Sequence, residues 1–183
     1  MKITPTPISD LVILEPKIFG DHRGYFLESF NEEWFNKNIS ETNFIQDNES
    51  KSSKGVLRGL HFQKPPFAQA KLVRVIQGEV LDVAVDLRKN SPTYGQHYSI
   101  LLSSENKKQF FVPRGFAHGF VVLSDTAIFS YKVDNLYSPE HDSGIIWNDK
   151  DMNIDWTIEN SMIQLSDKDK VQGSLENFES PFL

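Results

Sequence analysis

The sequence has no cysteine among its 183 residues. Disulfide staples, zinc–thiolate sites and thiol nucleophiles are therefore excluded. Positive charge is not in excess either, since 19 Lys and Arg against 25 Asp and Glu leave a net charge of −6. Proteins that grip the phosphate backbone of nucleic acid are usually basic, so that class is set aside. An anionic small ligand stays compatible with locally clustered cations. No apolar run near Met1-Lys2-Ile3-Thr4-Pro5 has the length of a signal peptide, and none anywhere approaches a membrane span. A cytoplasmic chain with no membrane partner is expected. Repeats, low-complexity blocks and linkers are missing, and so is the strand–helix alternation of a dinucleotide-binding fold.

What is present suits one domain over residues 1–183. Hydrophobic residues make up 39% and charged residues 24%, an ordinary globular balance. Folding a chain of this length hides roughly 70% of its unfolded surface, enough for a sizeable core. The 14 phenylalanines predict an aromatic-lined interior. All five arginines (Arg23, Arg58, Arg74, Arg88 and Arg114) lie in the first two-thirds of the chain.

Short strand signals recur between Gly, Pro, Asn, Asp and Ser. They cover Val12–Leu14, Gly24–Phe30, Val56–Phe62, Lys71–Ile76, Val80–Leu87, Tyr98–Leu102, Gln109–Val112, Phe120–Leu123 and Ala127–Val133. Asn31–Asn38 predicts the one early helix, with Asn31 as its cap and Trp34 and Phe35 facing inward. Gln77-Gly78-Glu79 predicts a hairpin, with Val80–Leu87 pairing back on Lys71–Ile76. Within Val80–Leu87 the residues Leu81, Val83, Val85 and Leu87 share one face, and Asp82, Ala84 and Asp86 the other. Aspartates on an inner face suit a barrel whose lumen is an active site better than a plain core. Many short strands predict an antiparallel sandwich or jelly roll, followed by a looser tail.

Several polar residues interrupt these apolar runs. His61 lies in Arg58-Gly59-Leu60-His61-Phe62-Gln63, where strand alternation puts Arg58 on the opposite face unless a bulge intervenes. His61 reads either as a core histidine bonded to a carbonyl or as a base. Lys71 opens an apolar strand, as a solvated strand end or as a cation for an oxyanion. Tyr131 reads as a cross-strand packing aromatic or as a general acid. Tyr137, before Ser138-Pro139, could stack on a flat ligand. Arg23 beside Gly24 could hold a phosphate bidentately or be surface decoration.

Pro113-x-Gly115-x-x-His118 resembles the second motif of the cupin superfamily. The first cupin motif supplies metal ligands through two histidines one residue apart and a glutamate. Here that pair is His61 and Gln63, with no Glu at the right distance, so a cupin barrel is expected and a metal is not.

Taken jointly, the segments resemble the dTDP-4-dehydrorhamnose 3,5-epimerase family over nearly the whole chain. They are Asp21-His22-Arg23-Gly24-Tyr25-Phe26-Leu27-Glu28, Gln46-Asp47-Asn48, Gly55 to Gln63, Ala70 to Val75, Asp86-Leu87-Arg88, Pro113 to Phe120, Tyr131-Lys132, Tyr137-Ser138-Pro139, Gly144 to Asp149 and Ser166-Asp167-Lys168-Asp169. The resemblance implies an all-β, cupin-like jelly roll with a few short helices, working as a cofactor-free homodimer in dTDP-rhamnose synthesis. It implies His61 as base, Tyr131 as acid, Lys71 at the C4 oxygen, and Asp169 orienting His61, with Asp82 a rival for that task. It further implies that Arg23, Glu28, Gln46, Asn48, Arg58, His118, Tyr137 and Lys168 hold the nucleotide sugar, with Arg23 and Glu28 reaching the partner's site. Asp142, also expected at the substrate, stands where the family often has Glu. A proline expected in Lys170-Val171-Gln172-Gly173 is missing. A relative inverting C3 alone, and a non-catalytic or metal-dependent cupin, are the other readings.

Overall fold

A computed structural model describes residues 1–183. Two antiparallel sheets face one another. The larger has six strands in the order β1 (Lys2–Pro5), β2 (Val12–Glu15), β10 (Gln109–Val112), β7 (Lys71–Gln77), β12 (Thr126–Val133) and β5 (Gln46–Ser53). The smaller has five, in the order β13 (Asp142–Gly144), β6 (Leu57–Gln63), β11 (Phe116–Val122), β8 (Glu79–Asp86) and β9 (His97–Ser103). A separate hairpin joins β3 (Ile18–Asp21) to β4 (Gly24–Leu27). This is the cupin-like jelly roll expected from the strand spacing and the Pro113–His118 motif.

Three apolar clusters hold the layers. Between the sheets lie Val73, Val75, Ala84, Phe110, Phe120 and Phe129, all buried. Outside the five-stranded sheet, Leu81, Val83, Val85 and Leu87 pack against Ile145, Met152, Trp156 and Phe182 of the C-terminal region. The face division read from β8 therefore holds, and the tail, irregular as it is, seals one sheet. Outside the six-stranded sheet, α1 (Glu32–Asn38) buries Phe35 against Phe111 and Leu72. The expected cap is present, with Asn31 Oδ1 accepting from Trp34 N at 3.0 Å. Trp34 is only half-buried.

One expected connection is corrected. Gln77-Gly78-Glu79 does not close a hairpin, because β7 pairs with β10 and β12 while β8 pairs with β9 and β11. The turn hands the chain from one sheet to the other. Gly78 is required there: its φ is +78°, and a Cβ would stand 2.1 Å from the carbonyl oxygen of Thr126. The strand beginning at Gly24 is also shorter than expected, ending at Leu27, and β11 begins earlier, at Phe116.

Candidate active site

The cavity between the sheets is lined from six strands, the loop after β12 and the C-terminal segment that carries Asp169. Strand β6 supplies Arg58 and His61 to the same wall, which simple alternation forbids. A bulge resolves this: His61 pairs with His118 but Arg58 pairs with Phe120, so three steps along β6 match two along β11. The bulge forces the backbones together at Gly59, where φ is +135° and a Cβ would lie 2.5 Å from Gly119 Cα.

His61, Lys71 and Tyr131 each line two adjoining lobes, of about 470 and 440 Å³. The inner lobe is floored by Phe120 and Phe129, stacked with ring centroids 4.1 Å apart, and is also lined by Arg58, His118 and Asp169. The outer lobe is polar and carries Gln46, Asn48, Tyr137, Asp142 and Lys168. His61 comes from the five-stranded sheet and Tyr131 from the six-stranded one, so they stand on facing walls. Lys71 shares its strand face with buried Val73 and Val75.

His61 Nε2 donates to Asp169 Oδ1 in a short hydrogen bond. A histidine held this way keeps its other ring nitrogen, Nδ1, as the proton acceptor. Asp169 is 2% exposed, and its Oδ2 accepts from Ser166 Oγ at 2.8 Å. Burial pushes its carboxyl up, but the bonds from His61 and Ser166 and the nearby charge of Lys168 outweigh this and hold it below the usual carboxylate range. Asp82, fully buried, is not the partner of His61. Both its oxygens accept from His118 Nε2, at 2.9 and 3.0 Å. Two His–carboxylate pairs therefore share one cavity.

Lys71 forms no salt bridge. Desolvation pulls its ammonium down to about 8, against the opposing pull of Asp82 and Asp142 and with help from Lys168. Burial pushes the Tyr131 hydroxyl up, and the Arg58 charge offsets part of that. Arg58 is held by two bonds to Ser52 Oγ, at 3.2 and 3.1 Å. Gln63 is 4% exposed and its amide is fully engaged with main chain: Nε2 donates to Phe67 O and Leu136 O, and Oε1 accepts from Ser138 N. It ties the two loops at the outer lobe together.

Of the expected residues, His61, Lys71, Tyr131, Asp169, Arg58, His118, Gln46, Asn48, Tyr137, Asp142 and Lys168 meet at this cavity. Arg23 and Glu28 do not. Both are exposed, Arg23 pairs with Asp21 at 2.5 Å in the β3–β4 turn, and neither lines either lobe of its own chain. Sequence reasoning missed Ser50, Ser52 and Ser166. Ser166 had a signal, since a serine three residues before an aspartate builds a side-chain-capped turn, and Asp169 N bonds Ser166 Oγ at 3.2 Å.

Comparison with known proteins places the chain in a family. Residues 5–177 match the family model described as dTDP-4-dehydrorhamnose 3,5-epimerase. A protein of that name from Shigella flexneri is 55% identical over 170 residues, covering 92% of this chain and 93% of its own. The crystal structure of the dTDP-4-dehydrorhamnose 3,5-epimerase from Elizabethkingia anophelis is 54% identical, covers 97% of each chain and superposes with a TM-score of 0.93. A Legionella pneumophila dTDP-6-deoxy-D-glucose-3,5-epimerase, solved in complex with dTDP-4-keto-L-rhamnose, is 48% identical over 97% of this chain and 94% of its own, with a TM-score of 0.94. With its residues 5–177 matching the family model and a relative 55% identical over 92% of its length, the chain belongs to the dTDP-4-dehydrorhamnose 3,5-epimerase family.

Proposed function

We propose that the chain inverts C3 and C5 of dTDP-4-dehydro-6-deoxy-D-glucose, giving dTDP-4-dehydro-L-rhamnose, by proton transfer through an enolate. The observation that carries this reading is a carboxylate-backed imidazole and a tyrosine hydroxyl on facing walls of one cavity, with an unpaired lysine lining it too. Protons beside the C4 ketone are acidic because the carbanion delocalises onto O4. His61 takes the proton from C3 or C5, with Asp169 stabilising the imidazolium that forms. Lys71 holds the enolate oxygen. Tyr131 returns a proton to the same carbon from the other side, inverting it; its phenolate is then reprotonated from solvent and the His61 imidazolium gives its proton up to solvent, which resets both groups. Burial keeps Tyr131 protonated until that moment, and Arg58 steadies the phenolate afterwards. No redox change occurs, so the reaction needs no nicotinamide, and the Lys71 ammonium fills at the enolate oxygen the place a metal ion would take. In the outer lobe Gln46, Asn48 and Lys168 face the diphosphate, while Tyr137 lies against the base or the sugar. Arg58 and His118 contact the sugar side. Residues 1–183 act as one domain in the cytoplasm.

The test is NMR of the ketosugar in deuterated water. Deuterium is expected at both C3 and C5. Label at C3 alone would reassign the chain as a 3-epimerase, and no label would end the enzyme reading for this substrate. Tyr131→Phe keeps the ring and removes only the acid. Exchange is then expected to persist while inversion falls. Inversion of both centres at the unaltered rate would make Tyr131 a packing residue only.

We also propose that the working form is a homodimer. The β3–β4 hairpin exposes Ile18, Phe19, Tyr25 and Phe26, at 46%, 53%, 60% and 68%. Four large apolar side chains on one hairpin mark an association surface. A second copy seated there explains how Arg23 and Glu28, remote from their own cavity, come to serve a partner's. Phe26→Asp is expected to give a monomer by light scattering with little activity left. A fully active monomer would remove the partner from the site.

A further inference from the structure

The outer lobe, read above as the diphosphate subsite, carries a carboxylate in its wall. Asp142 opens β13, and its side chain is only 12% exposed. Its Oδ2 accepts from the Lys168 ammonium in a short ion pair and from the Tyr137 hydroxyl at 3.0 Å. Three stretches of chain thus converge on one oxygen: the loop after β12, the start of β13, and the turn that carries Asp169. The acceptor is fixed. Asp142 pairs with Gln63 in the sheet, and its amide donates to Ser138 O at 3.1 Å. The cation is free to leave, because Lys168 has no other side-chain partner, its stem has several rotatable bonds, and 46% of the side chain is exposed.

We infer that Asp142 is a built-in competitor for Lys168, holding the ammonium when no anion is bound and ceding it to the diphosphate, so that nucleotide affinity is set below what the lobe's cations alone would give. This rests on the outer lobe being the diphosphate subsite. Binding then exchanges one charge-assisted hydrogen bond for another, and Lys168 contributes orientation more than net affinity. The ceded Asp142 keeps its bond from Tyr137, so its desolvation is partly met. An enzyme arranged this way releases nucleotide readily.

Isothermal titration with dTDP and with thymidine, on the full-length protein, separates the possibilities. Asp142→Asn is expected to tighten dTDP binding about 10-fold, one charge-assisted bond's worth, and to leave thymidine binding unchanged. Asp142→Ser removes the anion differently and is expected to repeat the gain should the amide disturb the loop. In a Lys168→Gln background the gain is expected to vanish. Failure of both Asp142 variants to tighten dTDP binding overturns the inference. So does a gain that survives Lys168→Gln, which would mean that Asp142 repels the ligand directly, or an equal gain for thymidine, which would mean a change in loop shape. Wild-type protein that does not bind dTDP at all overturns the nucleotide reading itself, and the inference falls with it.

Discussion

His61→Asn is expected to suppress deuterium incorporation at both C3 and C5, with exchange falling by about 10²–10⁴-fold or more. Asparagine keeps a polar group at the level of Nδ1 but falls short of Nε2, so Asp169, which is 2% exposed, keeps its bond from Ser166 alone. What is lost is the ring nitrogen that accepts the carbon-bound proton. The loss should strike both centres alike, because one base lines both lobes. Single-turnover NMR reads it directly: the ketosugar should bind and stay unexchanged. Retention of C5 exchange with loss at C3 would mean that a second base works in the cavity, and the His118–Asp82 pair would be the first to test.

Lys71→Met is expected to lower kcat by about 10²–10³-fold, the usual loss when one donor to a developing oxyanion is removed. It depresses exchange and inversion together, since both pass through the same enolate, and this separates it from Tyr131→Phe. The pH profile gives a second signature. The Lys71 ammonium releases its proton at about 8, so kcat/KM of the wild type should fall as pH rises through that value. With Met at 71 that alkaline limb should be gone. Stability moves the other way. Below about 8 the folded and unfolded chains both hold the proton, and the cost of desolvating the charge is fully present. Between about 8 and the ordinary 10.5 the folded chain has lost the proton while the unfolded chain keeps it, so the cost fades with rising pH. Lys71→Met should therefore raise neutral-pH stability, by about 1–3 kcal/mol in denaturant melts. A variant that loses activity and stability together would place Lys71 in the fold instead of the chemistry.

The sheet faces were legible where hydrophobicity alternates. Strand β8 shows this best, because its apolar set meets the tail and its aspartates point inward. Strand β5 was invisible because it alternates in a currency that hydropathy does not measure. Its inward residues are Gln46, Asn48, Ser50 and Ser52, and its outward ones are Asp47, Glu49, Lys51 and Ser53. The turn at Gly78 misled for a different reason. A glycine with positive φ suits a sheet-to-sheet crossing as well as a hairpin, and local sequence does not say which strand waits on the far side. The extra residue in β6 was conditional in the sequence and settled only by pairing, and with it the sharing of one wall by Arg58 and His61. Asp169 was expected at His61 from the resemblance alone, with Asp82 as a rival, because 108 residues separate the partners that meet.

Strand β5 has a consequence for how such an enzyme changes over evolutionary time. Gln46, Asn48 and Ser50 line the cavity, yet none belongs to the three apolar clusters that hold the layers together. Exchanging Gln46, Asn48 or Ser50 removes no buried methylene, so the thermodynamic penalty that polices most interior positions is nearly absent there. Recognition along this edge is thereby uncoupled from folding. A lineage could retune its hold on the diphosphate by altering β5 alone, while the His61–Asp169 pair and the packed aromatic floor pass unchanged from one variant to the next.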